Sequence, residues 1–504
     1  MKSAMLALGT VCALTAWTEE ISFDRPAIVP TPVRMTFESN VVVRLNRETH
    51  LVVTCPDATA GKWVADHVER WFGFRPTLST VLSAPDGVKG DEGYALLARP
   101  GRIALGANTL QGVRYALMAL RQAAQRETIG MTLAGYWLPA CEINDAPALT
   151  FRGLHVCWFP ETSPALVERL IRLAGYYRLN AVVLENWGVF RSERHPWWGW
   201  RDGRMTKAEI ARLRAIADDL GVLLVPQFNI FGHASLSRNA SGKHAVLDLD
   251  PRYQPLYEPD GWNWCLSNPE TLRVIRELVV EMHEAFGNPP YFHIGCDEAH
   301  KPGCARCRAA RPYAGLVERN ILGVRELLKA RGAQAMMWHD MLLERGDERW
   351  KPFYANGSRD GAAMLARLPR DIVICDWYYG QNYGRTSAPT NYQTLAYFSG
   401  LGFPTVTCPW NDPKATGLQG AYAAKSGLLG LLGTTWHHAY KRELPRDILV
   451  ATAAAAWGMP ADDRDFILHW RQIGWDMGVK DYRDCGFVTE QVPSCTNVEI
   501  VPGG

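Results

Sequence analysis

Eight short apolar runs, each followed by a stretch of helical periodicity, constrain this chain more than any other feature of its sequence. They are Phe151–Val156, Ala181–Leu184, Val222–Pro226, Tyr291–Ile294, Ala335–Trp338, Ile372–Asp376, Thr405–Cys408 and Leu429–Thr434. Strands covered on one face alternate apolar and polar residues; these runs are mostly apolar with no regular alternation, so both faces are expected to be buried. Parallel strands separated by helices meet that condition, and eight such units close into a (β/α)8 TIM barrel. No short-period repeat points to a solenoid or a propeller. The barrel is assigned residues 146–460, and a small α+β domain precedes it over residues 24–145. In that domain Val41–Leu45, Leu51–Val53, Tyr94–Leu97 and Ile103–Leu105 read as strands, and Gly61–Phe72 and Thr109–Ala124 as helices. A helical tail is expected over residues 461–504.

Charge and targeting narrow the function classes. Fifty-four Lys plus Arg against 52 Asp plus Glu leave a net charge of +2 with no long basic run, which argues against a nucleic-acid partner. Met1-Lys2-Ser3 followed by apolar Ala4–Ala16 reads as a secretory signal peptide over residues 1–16, too short to span a bilayer. No later segment is long and apolar enough for a membrane helix, so an exported protein, periplasmic or extracellular, without a membrane span is expected. Of the 12 cysteines, Cys12 lies within the signal, and others such as Cys157, Cys375 and Cys408 read as small buried hydrophobes. His300, Cys304 and Cys307 stand apart. Their spacing is compatible with a local disulfide, with free thiols or with structural zinc, although zinc normally takes four ligands and no second Cys-x-x-Cys supplies them. No catalytic metal or cofactor is expected; His437-His438 and the other histidines show no paired metal-ligand spacing.

Catalytic groups of a barrel sit at the C-terminal ends of its strands. That rule selects Arg152, Glu185, Asn186, Asn229, His233, Asp297, Glu298, Trp338, Asp340, Asp376, Trp377, Trp410, Asp412, Trp436 and His437. The sharpest feature is Tyr291-Phe292-His293-Ile294-Gly295-Cys296-Asp297-Glu298, where an apolar strand runs into two adjacent carboxylates. Either the pair caps the next helix or it serves one pocket. In a pocket, two close carboxylates cannot both ionise freely, so one pKa rises, and a raised carboxylic acid is the usual proton donor to a glycosidic oxygen. The aromatic count, 19 Trp with 18 Tyr and 16 Phe, fits either core filling or platforms for sugar rings. Arg194-His195-Pro196-Trp197-Trp198-Gly199-Trp200-Arg201, after the second strand, reads either as a stacking wall for the sugar or as hydrophobic anchoring of the loop.

His293-Ile294-Gly295-Cys296-Asp297-Glu298 resembles the His-x-Gly-Gly-Asp-Glu signature of glycoside hydrolase family 20, the exo-β-N-acetylhexosaminidases. Ile143-Asn144-Asp145-Ala146-Pro147 with Phe151-Arg152-Gly153-Leu154 resembles that family's entry into the first barrel strand. Pro226 through Gly232-His233-Ala234 resembles a further motif, and Gly112-Val113-Arg114-Tyr115-Ala116-Leu117 is similar to its non-catalytic domain. The resemblance implies a retaining, substrate-assisted mechanism in which the substrate's 2-acetamido group is the nucleophile. Glu298 would then be the acid/base, and Asp297 would orient the acetamido group. Arg152 would hold sugar hydroxyls, His233 would stand behind the acid, and Trp338, Trp377 and Trp436 would wall the bound sugar. The implied partner is a glycan or glycoconjugate ending in β-GlcNAc or β-GalNAc.

Several positions depart from the lysosomal type of that family. Its His-x-x-Asp becomes Leu184-Glu185-Asn186-Trp187, its Pro-Glu-Ile-Asp becomes Pro226-Gln227-Phe228-Asn229, and its Trp-x-Glu becomes Trp436-His437-His438. Its Tyr-x-Asp corresponds to Trp410-Asn411-Asp412, with Tyr378 or Tyr379 as a replacement phenol. Glu185 and Trp338-His339-Asp340-Met341 are closer to the hexosaminidase D-like branch. The alternative to hydrolysis is therefore a sugar-binding protein on the same fold, or action on an unusual or decorated hexosaminide.

Overall fold

The computed structural model describes residue 26 and residues 28–129, 132–200, 203–235, 246–310, 312–351, 353–379, 392–410, 412–436 and 445–458. The expected signal peptide and helical tail lie outside the described residues, as does His437.

Seven strands form the first domain: β1 (Arg34–Leu45), β2 (His50–Thr54), β3 (Thr77–Val81), β4 (Tyr94–Arg99), β5 (Arg102–Ala107), β6 (Gln125–Ile129) and β7 (Thr132–Asp145). Their order is β1-β7-β4-β5-β2-β3, with β6 also on β7. Tyr94, Leu96 and Ala98 alternate with more exposed neighbours along β4, so one face is covered and the other is open. The covering helices are Ala60–Phe72 and Leu110–Ala123. Val64, Val68 and Phe72, and Val113, Leu117 and Leu120, recur at helical spacing and join one core with the sheet. β3, β6 and β7 were not legible as apolar runs, because they are polar, exposed or interrupted.

The barrel strands are β8 (Phe151–Trp158), β9 (Ala181–Asn186), β10 (Leu223–Gln227), β11 (Tyr291–His293), β12 (Gln334–Trp338), β13 (Val373–Asp376), β14 (Thr405–Thr407) and β15 (Gly430–Thr434). They close in parallel register, each on its neighbour and β15 on β8. Alternate residues separate into two cores. Phe151, Ala181, Val183, Val225, Met336, Val373, Val406 and Leu432 fill the barrel's interior. Leu154, Val156, Val182, Leu184, Leu224, Phe292, Met337, Ile374 and Leu431 pack outward against the helices. Helices start where a capping side chain precedes proline: Ser163-Pro164, Asn268-Pro269 and Asp412-Pro413 each accept a first-turn backbone N–H.

The small domain seats on the barrel's N-terminal end. Gln111 Nε2 donates to the Gly221 carbonyl, Gln122 Nε2 to that of Tyr176, and Arg114 to those of Asp218 and Asp219. The C-terminal mouth is left uncovered by this domain.

Candidate active site

The inward positions turn polar one layer below the mouth, at His155, Glu185, Gln227 and His293. Glu185 accepts from Asn229 Nδ2 at 2.8 Å and from Cys157 Sγ at 3.2 Å, and lies 3.0 Å from His155 Nε2. Burial alone would raise the Glu185 carboxyl. The hydrogen bond and charge of His155, with His233 and Asn229, outweigh it and bring the pKa to about 2.

Above this layer the chain leaves β11 in a tight coil. Gly295 takes φ +66°, and a Cβ there would lie 1.7 Å from Asn229 Oδ1, so only glycine fits. Left-handed backbone outside glycine occurs among the described residues at seven positions, four of them here: His233 (+55°), Cys296 (+77°), Glu298 (+46°) and Trp436 (+40°). Backbone strain of this kind is held in place by its surroundings and concentrates at functional sites. The Glu298 N–H donates to Asp340 Oδ2 at 3.0 Å, and Asn356 Nδ2 reaches the same oxygen at 2.8 Å. Trp262 Nε1 donates to the Glu298 carbonyl at 2.8 Å.

His233 stands between the two carboxylates, Nδ1 3.5 Å from Asp297 Oδ1 and Nε2 3.6 Å from Glu298 Oε2. The Asp297 side chain is 8% exposed and that of Glu298 53%. One carboxylate is thus sunk in the floor while its neighbour reaches into the open mouth. Burial lowers His233, but the two carboxylates override it and hold the imidazole well above its usual range. Burial raises Asp297 against the pull of His233. Burial and the Asp297 charge push Asp340 up to about 8. Glu298 moves the other way, lowered first by its hydrogen bond to His233. The carboxylates do split in acidity, but the rise falls on Asp297 and Asp340, not on the residue expected to donate a proton. The imidazolium beside Glu298 is the reason.

Aromatic rings line the mouth. The Trp338 ring lies 4.3 Å from His293 and 5.5 Å from Trp436. Trp377 stacks on Tyr379 at 5.4 Å, and Tyr379 meets Trp410 edge-on at 5.4 Å. Tyr354 joins them 4.6 Å from Trp377. Tyr378 faces away, against Phe353. His339 and Asp376 pair at 3.4 Å beneath this wall.

Three expected site residues lie elsewhere. Arg152 has the outward parity of Leu154 and sits at the strand's N-terminal end, where Nη1 and Nη2 bind Glu92 at 2.8 and 2.7 Å and Nη2 also donates to Tyr115. Trp198 is buried on the outer side of the barrel against Phe228, and Trp197 stacks on Tyr253 at 4.0 Å. Their loop turns back on itself, with Trp200 N–H on the Gly188 carbonyl and His195 against Glu277, so the indoles anchor it. Asp412 accepts the Ala415 N–H and is spent as a helix cap. His155, His293, Trp262 and Tyr354 complete the site and were missed. The first two lay inside strand runs at inward parity, which was the available signal. Trp262 and Tyr354 come from loops with no register to read.

Residues 25–146 match the family described as glycosyl hydrolase family 20, domain 2, and residues 175–456 match the glycosyl hydrolase family 20 catalytic domain. A β-N-acetylhexosaminidase of Cellulomonas fimi is 25% identical over 307 residues, 54% of this chain and 59% of that protein, so the chain spans less than two thirds of that relative. Among solved structures, a GH20 exo-β-N-acetylglucosaminidase from Vibrio harveyi superposes with a TM-score of 0.67 at 15% identity, covering 93% of this chain and 79% of that one. A β-N-acetylhexosaminidase from Bacteroides fragilis gives 0.65 at 18% identity over 92% and 99%. At such identities the structural likeness is one of fold, and the site must carry the chemistry.

Proposed function

The chain belongs to glycosyl hydrolase family 20, and we propose that it is a retaining exo-β-N-acetylhexosaminidase that removes terminal β-GlcNAc or β-GalNAc from glycans. The observation that carries this is one carboxylate sunk beside His233 and its sequence neighbour projecting into an aromatic mouth.

The acetamido carbonyl oxygen of the substrate attacks C1 while the glycosidic C1–O bond breaks. Glu298, the exposed acid, gives its proton to the leaving oxygen. Asp297 accepts a hydrogen bond from the acetamido N–H and offsets the positive charge of the oxazolinium. Water then attacks C1 and loses a proton to Glu298; the ring opens, and the anomeric configuration is retained. His233 holds the proton inventory of the pair, since its nitrogens face both carboxylates. As the aglycone occupies the mouth, Glu298 loses solvent and its carboxyl rises toward the range an acid needs. Trp338, Trp377 and Trp436 present faces and edges to the sugar, while Glu185 orders the floor through His155 and Asn229.

Chromogenic β-GlcNAc, β-GalNAc and β-glucoside substrates test the reading, with wild type and Glu298→Gln. Both hexosaminides should be cleaved and the glucoside left intact, because only the former carry the nucleophile. Loss of the acid should lower turnover by ~10²–10⁴. Comparable cleavage of the glucoside would overturn the mechanism, and thiazoline mimics of the intermediate should inhibit.

A further inference from the structure

We propose that Cys265, Cys304, Cys307 and Glu258 bind a structural zinc ion that joins the two loops holding the catalytic acid. Sequence spacing offered only Cys304, Cys307 and His300 for such a site, and the fold replaces the last. His300 Nδ1 goes to Asp260 at 2.8 Å, and its ring stacks on Trp262. Cys265 arrives from the preceding loop instead, with its Sγ 3.7 Å from Cys304 Sγ and 3.8 Å from Cys307 Sγ. Tetrahedral zinc with Zn–S bonds of about 2.3 Å has ligand edges of about 3.8 Å. One ligand atom from each of the four residues lies within 4.8 Å of all the others.

Glu258 is the independent sign that a cation belongs here. Its side chain is buried, and Oε2 is fixed by the N–H groups of Gly303 and Cys304, each at 2.7 Å. Oε1 is buried with no hydrogen-bond partner among the described residues, which is costly for a carboxylate unless a cation meets it. Other contacts favour thiolates. The Cys307 N–H donates to Cys304 Sγ at 3.3 Å, and Arg306 Nη2 lies 3.8 Å from Cys265 Sγ. A disulfide would use two sulfurs and orphan the third, whereas Cys265 Sγ lies at nearly the same distance from both of the others. Three sulfurs and one oxygen at tetrahedral spacing suit zinc, and each thiol releases its proton to solvent as it ligates. The joined loops also clamp together at Asn263 and His300, through contacts of 2.7 and 3.0 Å, and they carry Trp262 and Glu298.

The inference stands apart from the glycosidase reading, since metal content is measured without substrate. The full chain, purified with reductant and passed through metal-free buffer, should retain about one zinc per chain by elemental mass spectrometry, as a closed four-ligand site does. Cys304→Ser with Cys307→Ser should abolish it, and Glu298→Gln should leave it intact. Should the double variant not fold, cobalt exchanged into wild type should show the intense visible bands and sulfur-to-metal charge transfer of a tetrahedral thiolate site. Zinc-free wild type after supplementation, zinc retained in the double variant, a weak octahedral cobalt spectrum, or a mapped disulfide among these cysteines would each overturn the proposal.

Discussion

At the N-terminal end of the barrel, Arg152 uses every nitrogen of its guanidinium, on Glu92, Tyr115 and the carbonyls of Leu149, Thr150 and Arg178. At the C-terminal end Asp340 Oδ1, Trp338 Nε1 and Trp377 Nε1 are buried with no hydrogen-bond partner among the described residues. Buried polar groups are normally satisfied, and leaving one unmet costs ~1–3 kcal/mol. At the base the Arg152 guanidinium is fully engaged across the joint between two domains, whereas the mouth gathers unmet groups that a polyhydroxylated ligand with an amide would satisfy. Substitutions at the base should therefore read out in stability and those at the mouth in turnover.

The sharpest attempt to break this division is Asp297→Asn. It removes the charge opposed to the oxazolinium and should lower kcat/KM on a β-GlcNAc substrate by ~10³, about 4 kcal/mol of barrier. Thermal stability should hold or rise, because a buried carboxylate raised by desolvation is replaced by a neutral isostere. A large drop in melting temperature would make Asp297 structural. The mirror experiment is Arg152→Met, which strands Glu92 without its partner and should cost ~3–5 kcal/mol in urea unfolding. The fraction that remains folded should keep its KM. A specific rise in KM would return Arg152 to the sugar site.

Glu185 lies between these extremes and separates them by pH. Its folded pKa of about 2 is below the ordinary 4.5, so it contributes stability fully above the unfolded value, and that contribution is lost as pH falls through the folded one. The size is about 3 kcal/mol for the fully buried carboxylate. Unfolding of wild type and Glu185→Gln, followed from neutral pH downward, should show the gap between them closing between about pH 4.5 and pH 2. A constant gap would mean that Glu185 gains nothing from His155.

The same contrast explains what could be read from the chain beforehand. Eight mostly apolar runs contain the barrel, because strands buried on both faces need no polar alternation. Asp297 and Glu298 were visible because a strand rarely ends in two carboxylates without a use for them. Arg152 stands at the start of a strand but lies outside the site by parity: it shares the outward face of Leu154, while His155 has the face of the site. Asp412 precedes Pro413, a capping pattern that already accounted for its carboxylate. Trp198 and Trp262 carry the same local signal, an indole-rich loop after a barrel strand. Contacts such as those of His195 and Ser192 with the helix Pro269–Ala285 take the first loop to the outer wall. Cys265 joins Cys304 across a loop and a helix, a closure that local spacing does not encode.

Trp262→Phe probes the boundary between the two behaviours, because its ring and its N–H do different things. The ring packs 4.3 Å from His233 and stacks on His300, and phenylalanine keeps much of that. The N–H holds the carbonyl of Glu298, whose left-handed backbone needs outside support. Its loss removes one hydrogen bond, ~1 kcal/mol, and frees the acid to sample other positions. A positioning residue should then lower kcat about fivefold at that energy while KM for the hexosaminide stays put, since the sugar wall is untouched. The alkaline limb of the kcat profile, set by the protonated Glu298, should shift as well, because the Glu298–His233 contact is no longer held at one distance. A fall in melting temperature with kcat and its pH profile unchanged would place Trp262 with the anchoring tryptophans instead, alongside Trp198.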